Sequence, residues 1–128
     1  MAPPADRLLF GVSGLPLGGA GDGRKFTYAT GIEYLAGLGL DAMEMPFVRS
    51  VNVSPKNAPG ILAAKRRHGF TLTAHGSYYV NLASADADIR AKSRQRLIAA
   101  AEAARLVEAA AIVFHPGFYQ GADSATTL

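Results

Sequence analysis

The sequence has no cysteine in its 128 residues, so it can form neither a disulfide framework nor a zinc site built from thiolates. It has no apolar run approaching the roughly 20 residues that span a bilayer. Its first seven residues also lack the long apolar segment of a secretory signal peptide. These absences exclude a disulfide-stabilised scaffold and predict a cytoplasmic protein with no membrane-spanning segment.

A strong excess of either charge is also missing. Lysine and arginine number 13 against 10 aspartate and glutamate residues, which leaves a formal net charge of +3. Such a balance is compatible with a polyanionic partner but does not indicate one. Many of the basic side chains lie in residues 65–67 and 90–96, and both groups are typical of the solvated faces of helices. The hydrophobic content of 49% predicts a globular domain with a real core.

Four short apolar runs recur along the chain, at residues 8–12, 41–45, 70–75 and 110–115. Their first residues are separated by 29 to 40 positions, and the intervals contain helix-forming patterns. Strands that alternate with helices at this spacing are typical of βαβ units with a parallel sheet. The sequence therefore predicts an α/β fold made of parallel βα repeats.

Start and stop signals place three helices between these runs. Thr30 and Glu33 form the pattern of a capping box, with Thr30 as the N-cap of the first helix. The second helix is predicted to end before Gly69, and either Asp86 or Asp88 begins the longest helix. The longest helix is expected to bury a stripe in which Ser93 is the weak position, the other members being Ile89, Leu97, Ala100, Ala104, Val107 and Ala111.

The chain ends soon after the fourth apolar run. Asp123 or Ser124 could cap a further helix, but no helix follows, so the predicted order is β-α-β-α-β-α-β. A (β/α)8 TIM barrel takes about 250 residues, so the expected fold is about half of one. The predicted organisation is a tail at residues 1–7 and the N-terminal half of a TIM-barrel domain at residues 8–128, truncated before the fourth helix.

Half of a barrel leaves two open sheet edges, which are a liability for solubility. The chain could pair with the remaining half-barrel or associate with itself through these edges. It could also form a self-contained open sheet, or be a truncation or natural fragment. The element count favours the fragment.

Two histidines carry the clearest functional signal. His75 and His115 each close an apolar run, and a long helical stretch separates the two runs. A strand, a crossover helix and a second strand normally give parallel neighbours, so both imidazoles are expected at the same rim of the sheet. Neutral imidazoles suit zinc and other late divalent metals. A lone histidine at a strand end is more often a hydrogen-bonded core residue, but two at one rim favour a metal site.

A third ligand for this metal is uncertain. Glu44 closes the second run and so belongs to the same rim. It could bind the metal, orient another ligand or accept a hydrogen bond from a sugar hydroxyl. Zinc in catalytic sites generally has three protein ligands and a water, so the two histidines form only a partial site.

Two loops at this rim are also of interest. The glycine-rich residues 11–23 match neither dinucleotide-binding nor P-loop patterns, and a flexible active-site loop is the better interpretation. Tyr78 and Tyr79 follow His75 closely. Exposed aromatic side chains on such a loop can stack on or wedge between bases. The alternative is that one or both tyrosines pack beneath the loop.

The stretch from His75 to Leu82 and the stretch from Phe114 to Gly117 resemble two signature segments of the endonuclease IV family. These proteins are zinc-dependent apurinic/apyrimidinic (AP) endonucleases, also called AP endonuclease family 2. Residues 31–49 are similar to a divergent, archaeal-type branch of that family. The likeness covers most of residues 8–121 and corresponds to the N-terminal half of the family's fold.

The resemblance implies a TIM barrel that carries a zinc cluster at its carboxyl rim, with Mn²⁺ as an alternative metal. It implies that His75 and His115 bind zinc. It places Tyr78 on a loop that enters the minor groove of DNA at an abasic site, with Tyr79 beside it. Arg49 corresponds loosely to an arginine that holds DNA. The implied reaction is hydrolysis of the phosphodiester 5′ to the abasic site, in DNA repair.

Two departures from the family limit this expectation. Residues 11–14 differ from the family's usual first loop, and the remaining metal ligands of the family lie on later strands. The fragment alone is therefore expected to show weak or absent catalysis and at most loose zinc binding. Two alternatives remain open: a sugar or sugar-phosphate isomerase or epimerase, which Glu44 favours, and a non-catalytic fragment that associates with itself.

Overall fold

The computed structural model describes residues 7–19 and 21–127, the side chains of residues 126 and 127 excepted. Strands and helices alternate throughout this part of the chain. In chain order they are β1 (Gly11–Ser13), α1 (Tyr28–Gly37), β2 (Ala42–Pro46), α2 (Ala58–His68), β3 (Thr71–His75), α3 (Ala87–Leu106), β4 (Ile112–Val113) and α4 (Ser124–Thr127). No helix within the described ranges is long and apolar enough to cross a membrane.

The strands form one parallel sheet in the order β1-β2-β3-β4. Its register aligns Glu44 with Ser13 and Thr73, and it aligns His75 with Val113. Side chains at aligned positions of parallel strands project to the same face. Each strand is followed by a helix, and consecutive strands are neighbours, as in a TIM barrel. The prediction of parallel βα repeats that form part of such a barrel is confirmed.

The core lies between the sheet and its helices. On β3, Leu72 and Ala74 are buried, whereas Thr71, Thr73 and His75 on the opposite face are only half-buried. Strand β2 shows the same alternation. The two faces therefore differ: one packs against helices, and the other, which we call the open face, remains accessible to solvent. The buried core includes Ile32, Leu35, Met43, Met45, Phe47, Ile61, Leu72, Ala100 and Val107.

Helix α1 begins earlier than the sequence pattern predicted. Its N-cap is Thr27, whose hydroxyl oxygen accepts a hydrogen bond from the Thr30 amide at 3.2 Å. Thr30 lies at the third helical position, and its hydroxyl oxygen accepts from the Thr27 amide at 2.9 Å. Thr30 as N-cap was therefore wrong. The earlier start brings a further aromatic residue into the buried stripe, which consists of Tyr28, Ile32 and Leu35.

Helix α3 begins where it was predicted but buries a different set of residues. The Asp86 carboxylate accepts from the amides of Asp88 and Ile89, which makes Asp86 the N-cap. Ile89 is 41% exposed, and Ala111 lies beyond the helix and is exposed, so both were wrong as members of the buried stripe. Helix α3, with 20 residues, is about 30 Å long, whereas a five-residue strand is about 17 Å long. The sheet is therefore too short to cover the whole helix.

The two edge strands are shorter than the apolar runs that predicted them. Strand β1 begins only at Gly11, where a Cβ would lie 2.3 Å from the carbonyl oxygen of Ala42. Only a glycine permits the two strands to approach so closely. Leu8 and Phe10, predicted as strand residues, lie outside β1 and are exposed. Strand β4 contains two residues rather than six, and among the described strands it pairs with β3 alone.

Each end of the described chain has a feature that the sequence did not predict. Of the predicted tail at residues 1–7, only Arg7 lies inside the described residues, and its guanidinium binds the Asp41 carboxylate at 2.8 Å. This hydrogen bond lowers the pKa of Asp41. At the other end, a short fourth helix does begin at Ser124. The prediction that the chain stops before that helix is corrected, since residues 124–127 already form its first turn.

Ion pairs join the helices on the outside of the sheet and make folding dependent on pH. Arg66 donates to the Glu108 carboxylate at 2.6 Å and Lys65 donates to the Glu108 carbonyl oxygen at 2.9 Å. The hydrogen bond from Arg66 is the main cause that lowers the pKa of Glu108. In the same way, His68 and Arg67 lower the pKa of Glu33. These carboxylates stabilise the fold only while they are ionised.

We expect the free energy of unfolding to fall as pH decreases from about 5 towards 3. A carboxylate whose pKa is lowered by folding adds stability above its unfolded pKa and loses it as pH falls through the folded value. Glu108→Gln should therefore flatten this pH dependence in urea denaturation series. Glu102→Gln, on the exposed surface of α3, is the matched control. The same slope in both variants would contradict the assignment of this pH dependence to Glu108.

Candidate metal-binding site

The ends of β3 and β4 bring two histidines together at the carboxyl rim, the end of the sheet where the strands finish. His75 is the last residue of β3 and is aligned with Val113 of β4. His115 lies two positions further on, so it projects to the same face as Val113. The two imidazole centroids are 5.4 Å apart, with ring planes tilted by 45°. The expectation that both imidazoles emerge side by side at one rim is confirmed.

This separation fits two imidazoles that share one metal ion. A Zn–N bond of about 2.0–2.1 Å and a tetrahedral angle place the centroids of two such rings about 5 Å apart. The observed distance of 5.4 Å is close to that value. His115 is exposed and His75 is half-buried, so solvent reaches the space beside the rings. The distance between the rings is therefore compatible with an ion such as Zn²⁺ between them.

The ring of His75 is oriented by the backbone of the residue that follows it. Its Nδ1 lies 3.0 Å from the carbonyl oxygen of Gly76. A carbonyl oxygen can only accept, so Nδ1 carries the proton and donates it to this bond. In the neutral ring, Nε2 then holds the free lone pair. Histidines that bind metals generally donate their other ring N–H in this manner, which fixes both the tautomer and the ring orientation.

Tyr78 lies against both imidazoles. Its ring centroid is 5.8 Å from that of His75 and 6.4 Å from that of His115. The tyrosine side chain is 58% exposed, so it does not pack beneath its loop. The structure thus brings together three of the side chains that the sequence singled out.

Tyr79 is held differently although it is equally exposed. Its carbonyl oxygen accepts a hydrogen bond from Arg96 of α3 at 3.3 Å. The guanidinium carbon of Arg96 also lies 5.7 Å from the centroid of the Tyr79 ring, at the distance of a cation–π contact. Tyr79 is therefore directed towards α3, while Tyr78 is directed towards the imidazoles.

Glu44 and Arg49 do not join the histidine pair. Glu44 lies on the open face and accepts a hydrogen bond from the Ser13 hydroxyl at 2.7 Å. Among the described residues, no group of three or more histidine, cysteine, aspartate or glutamate side chains is placed to hold a metal ion. Arg49 is exposed on the loop after β2. Its role in binding DNA, and that of Glu44 in orienting a ligand or binding a hydroxyl, stay predictions.

Sequence reasoning missed two polar residues that shape this rim. The hydroxyl of Ser93 on α3 is fully buried and bonds the backbone of Asn81 in the loop after β3. The signal was present in the sequence, because Ser93 is a polar residue in a stripe of apolar positions. Its partner could not be deduced, since a loop residue gives no periodic pattern.

The fold and this rim define the class of protein. A parallel sheet of βα units whose polar side chains converge at the carboxyl rim is part of a TIM barrel, where this rim carries the active site. A family model described as a xylose isomerase-like TIM barrel matches residues 32–128. The chain belongs to this xylose isomerase-like family.

Solved structures of several enzymes are similar to the chain. Endonuclease IV from Thermus thermophilus has a TM-score of 0.68 and 26% identity, covering 86% of this chain and 40% of its own. D-psicose 3-epimerase has a TM-score of 0.66 and 22% identity, covering 94% and 43%. The 3-keto-D-glucoside 4-epimerase of E. coli has a TM-score of 0.59 and 19% identity, covering 83% and 37%. At such identities the two epimerases establish the fold alone.

The chain corresponds to only part of each of these solved structures. It spans about 40% of the length of the solved structures it resembles. No curated protein sequence gives a significant match. The described residues supply two imidazole ligands, whereas catalytic zinc generally needs three protein ligands. The two histidines alone are therefore too few for a catalytic zinc site, and the fold is shared by hydrolytic and epimerising enzymes.

Proposed function

We propose that the chain is the N-terminal part of an endonuclease IV-like phosphodiesterase that acts at abasic sites in DNA. One observation carries the proposal: the rings of His75 and His115 lie 5.4 Å apart with Tyr78 against both. An aromatic side chain beside a pair of potential metal ligands suits a substrate with an exposed sugar-phosphate backbone and unstacked bases. The similarity to endonuclease IV supports the same conclusion.

The residues at the rim have distinct roles in this function. His75 binds the metal through Nε2, because Nδ1 is engaged with the Gly76 carbonyl oxygen. His115 supplies the second imidazole. When bound, Zn²⁺ supplies a Lewis acid for the hydrolysis of a phosphodiester. Tyr78 occupies the position left by the missing base and so holds the abasic nucleotide near the metal. Residues that complete the barrel would have to supply the remaining ligands.

DNA binding by the chain tests this proposal better than DNA incision, since two ligands are too few for catalysis. We expect the unsubstituted chain to bind a duplex with a tetrahydrofuran abasic site more tightly than an intact duplex. Tyr78→Ala should weaken binding to the abasic duplex by about 1–3 kcal/mol, the range for loss of one stacking contact. Fluorescence anisotropy with both duplexes measures this difference.

Tyr34→Ala is the matched control for this experiment. Tyr34 is 48% exposed on α1 and contacts Phe26, so its loss removes a surface tyrosine away from the rim. The proposal predicts no change in preference for the abasic duplex in this variant. Equal affinity of the unsubstituted chain for both duplexes, or an equal loss in both tyrosine variants, would contradict it.

A second function is favoured by one observation on the open face. Glu44 accepts from Ser13 and is aligned with Thr73, so a carboxylate and two hydroxyls lie in one row below the histidines. Such groups suit the hydroxyls of a sugar, and the D-psicose 3-epimerase structure covers 94% of this chain. Binding of D-fructose that Glu44→Gln abolishes, without any preference for abasic DNA, would favour a sugar epimerase or isomerase.

A further inference from the structure

We infer that Asn81, with Ser93 and Gly117, is a positioning device that holds the two metal-binding histidines at their working distance. This inference rests on the proposed metal site and concerns residues outside it. Asn81 lies six positions after His75, and Gly117 lies two positions after His115. The loops that leave β3 and β4 are joined at these residues. We call this set of contacts the Asn81 bridge.

The Asn81 side chain joins the two loops directly. Its Oδ1 accepts a hydrogen bond from the Phe118 amide at 3.4 Å and one from the Ala83 amide at 3.2 Å. Beside it, the Leu82 amide donates to the Pro116 carbonyl oxygen at 2.7 Å. Asn81 is buried, with 8% of its surface exposed. Hydrogen bonds therefore join the loop after His75 to Pro116 and Phe118, two of the three residues that follow His115.

Ser93 fixes Asn81 to helix α3. The Asn81 amide donates to the Ser93 hydroxyl oxygen at 2.9 Å, and that hydroxyl donates to the Asn81 carbonyl oxygen at 3.3 Å. Ser93 is completely buried. A buried serine that satisfies both backbone groups of one loop residue leaves that residue little freedom to move. Asn81 therefore presents its side chain to the second loop from a fixed position.

Gly117 permits the two loops to approach. A Cβ at this position would lie 2.6 Å from Oδ1 of Asn81 and 3.2 Å from the Ala83 backbone nitrogen. Any side chain at residue 117 would thus separate the loops. His115 itself is exposed and follows a strand of only two residues. The ladder of β4 and the bond from the Gly76 amide to the Val113 carbonyl oxygen hold the chain before His115, and the Asn81 bridge holds it on the other side.

The test compares the distance between the rings with metal binding in the full chain. We expect Asn81→Ala to abolish the nuclear Overhauser contact between the His75 and His115 rings in the metal-free chain. Because partners that orient ligands change metal affinity by roughly 10- to 100-fold, the affinity for Co²⁺ should fall by that factor. Asn81→Asp keeps a side-chain oxygen at Oδ1 and should restore both properties. Co²⁺ absorption titration gives the affinities.

Asn57→Ala is the matched control. Asn57 makes the same kind of loop contacts, accepting from the Ser54 amide and donating to the Asn52 carbonyl oxygen, both at 2.8 Å. It lies in the loop before α2, and both of its partners belong to that same loop. Its removal should lower the unfolding midpoint while ring contact and Co²⁺ affinity stay unchanged. Gly117→Ala, which inserts a Cβ at the bridge, should reproduce the Asn81→Ala result and serves if that variant does not fold.

The possible outcomes separate this inference from the proposed function. Ring contact and Co²⁺ affinity that survive both Asn81→Ala and Gly117→Ala would overturn the positioning role. If the unsubstituted chain shows the ring contact but binds no Co²⁺, the metal site of the proposed function fails. Loss of the ring contact in Asn81→Ala would still support the positioning role in that case.

Discussion

Replacing either rim histidine by alanine is expected to remove most of the chain's affinity for Zn²⁺ and Co²⁺. Each imidazole is one of only two ligands that the described residues bring together, at a centroid distance of 5.4 Å. Loss of a ligand should exceed the roughly 10- to 100-fold effect of losing an orienting partner. Isothermal titration of His75→Ala and His115→Ala with Zn²⁺ measures this change.

The third histidine provides a matched control. His68 lies at the end of α2, where its Nε2 contacts the Glu33 carboxylate rather than another imidazole. His68→Ala should leave Zn²⁺ affinity unchanged although it removes the same side chain. Zinc binding that falls equally in all three variants would mean that the metal binds histidines in general and not at the rim.

The second large effect concerns the core beneath this rim. Leu72 lies within β3 with no exposed surface, two residues before Ala74 and three before His75. Because Leu72→Ala leaves a cavity between the sheet and its helices, it should lower the free energy of unfolding by about 2–5 kcal/mol. Urea denaturation followed by circular dichroism gives the value.

Two further variants make this test specific. Leu17 is fully exposed, so Leu17→Ala removes the same atoms without opening a cavity and should be nearly neutral. Leu72→Met roughly conserves volume and should cost less than about 1.5 kcal/mol. A Leu72→Ala variant as stable as Leu17→Ala would contradict the assignment of a core to this face of the sheet.

The sequence predicted the central strands and the histidine pair for clear physical reasons. Strands β2 and β3 each have ladder partners on both sides, so their apolar runs and their ladders nearly coincide. The convergence of His75 and His115 followed from topology, since His75 ends β3 and His115 lies two residues after the neighbouring parallel strand β4. Features that depend on strand order and chain direction were therefore accessible from one sequence.

Features that depend on tertiary contacts could not be predicted from the sequence. The capping box of α1 was placed on Thr30 because Glu33 follows it, but Glu33 is bound instead by Arg67 and His68 of α2. Likewise, Ser93 was classed as a weak core position because it is polar, but its hydroxyl is bonded to Asn81 in the loop after β3. In both cases a polar side chain bonds to a residue on another element. The residue pattern within one element cannot reveal such a partner.

The central claim is that the His75 and His115 rings bind one metal ion. Crystals of the chain grown with Zn²⁺ and measured on both sides of the zinc absorption edge test it most directly. We expect one anomalous peak between the two rings, about 2.0–2.1 Å from a ring nitrogen of each. Rings that point apart with no peak between them, in crystals that show zinc elsewhere, would contradict it.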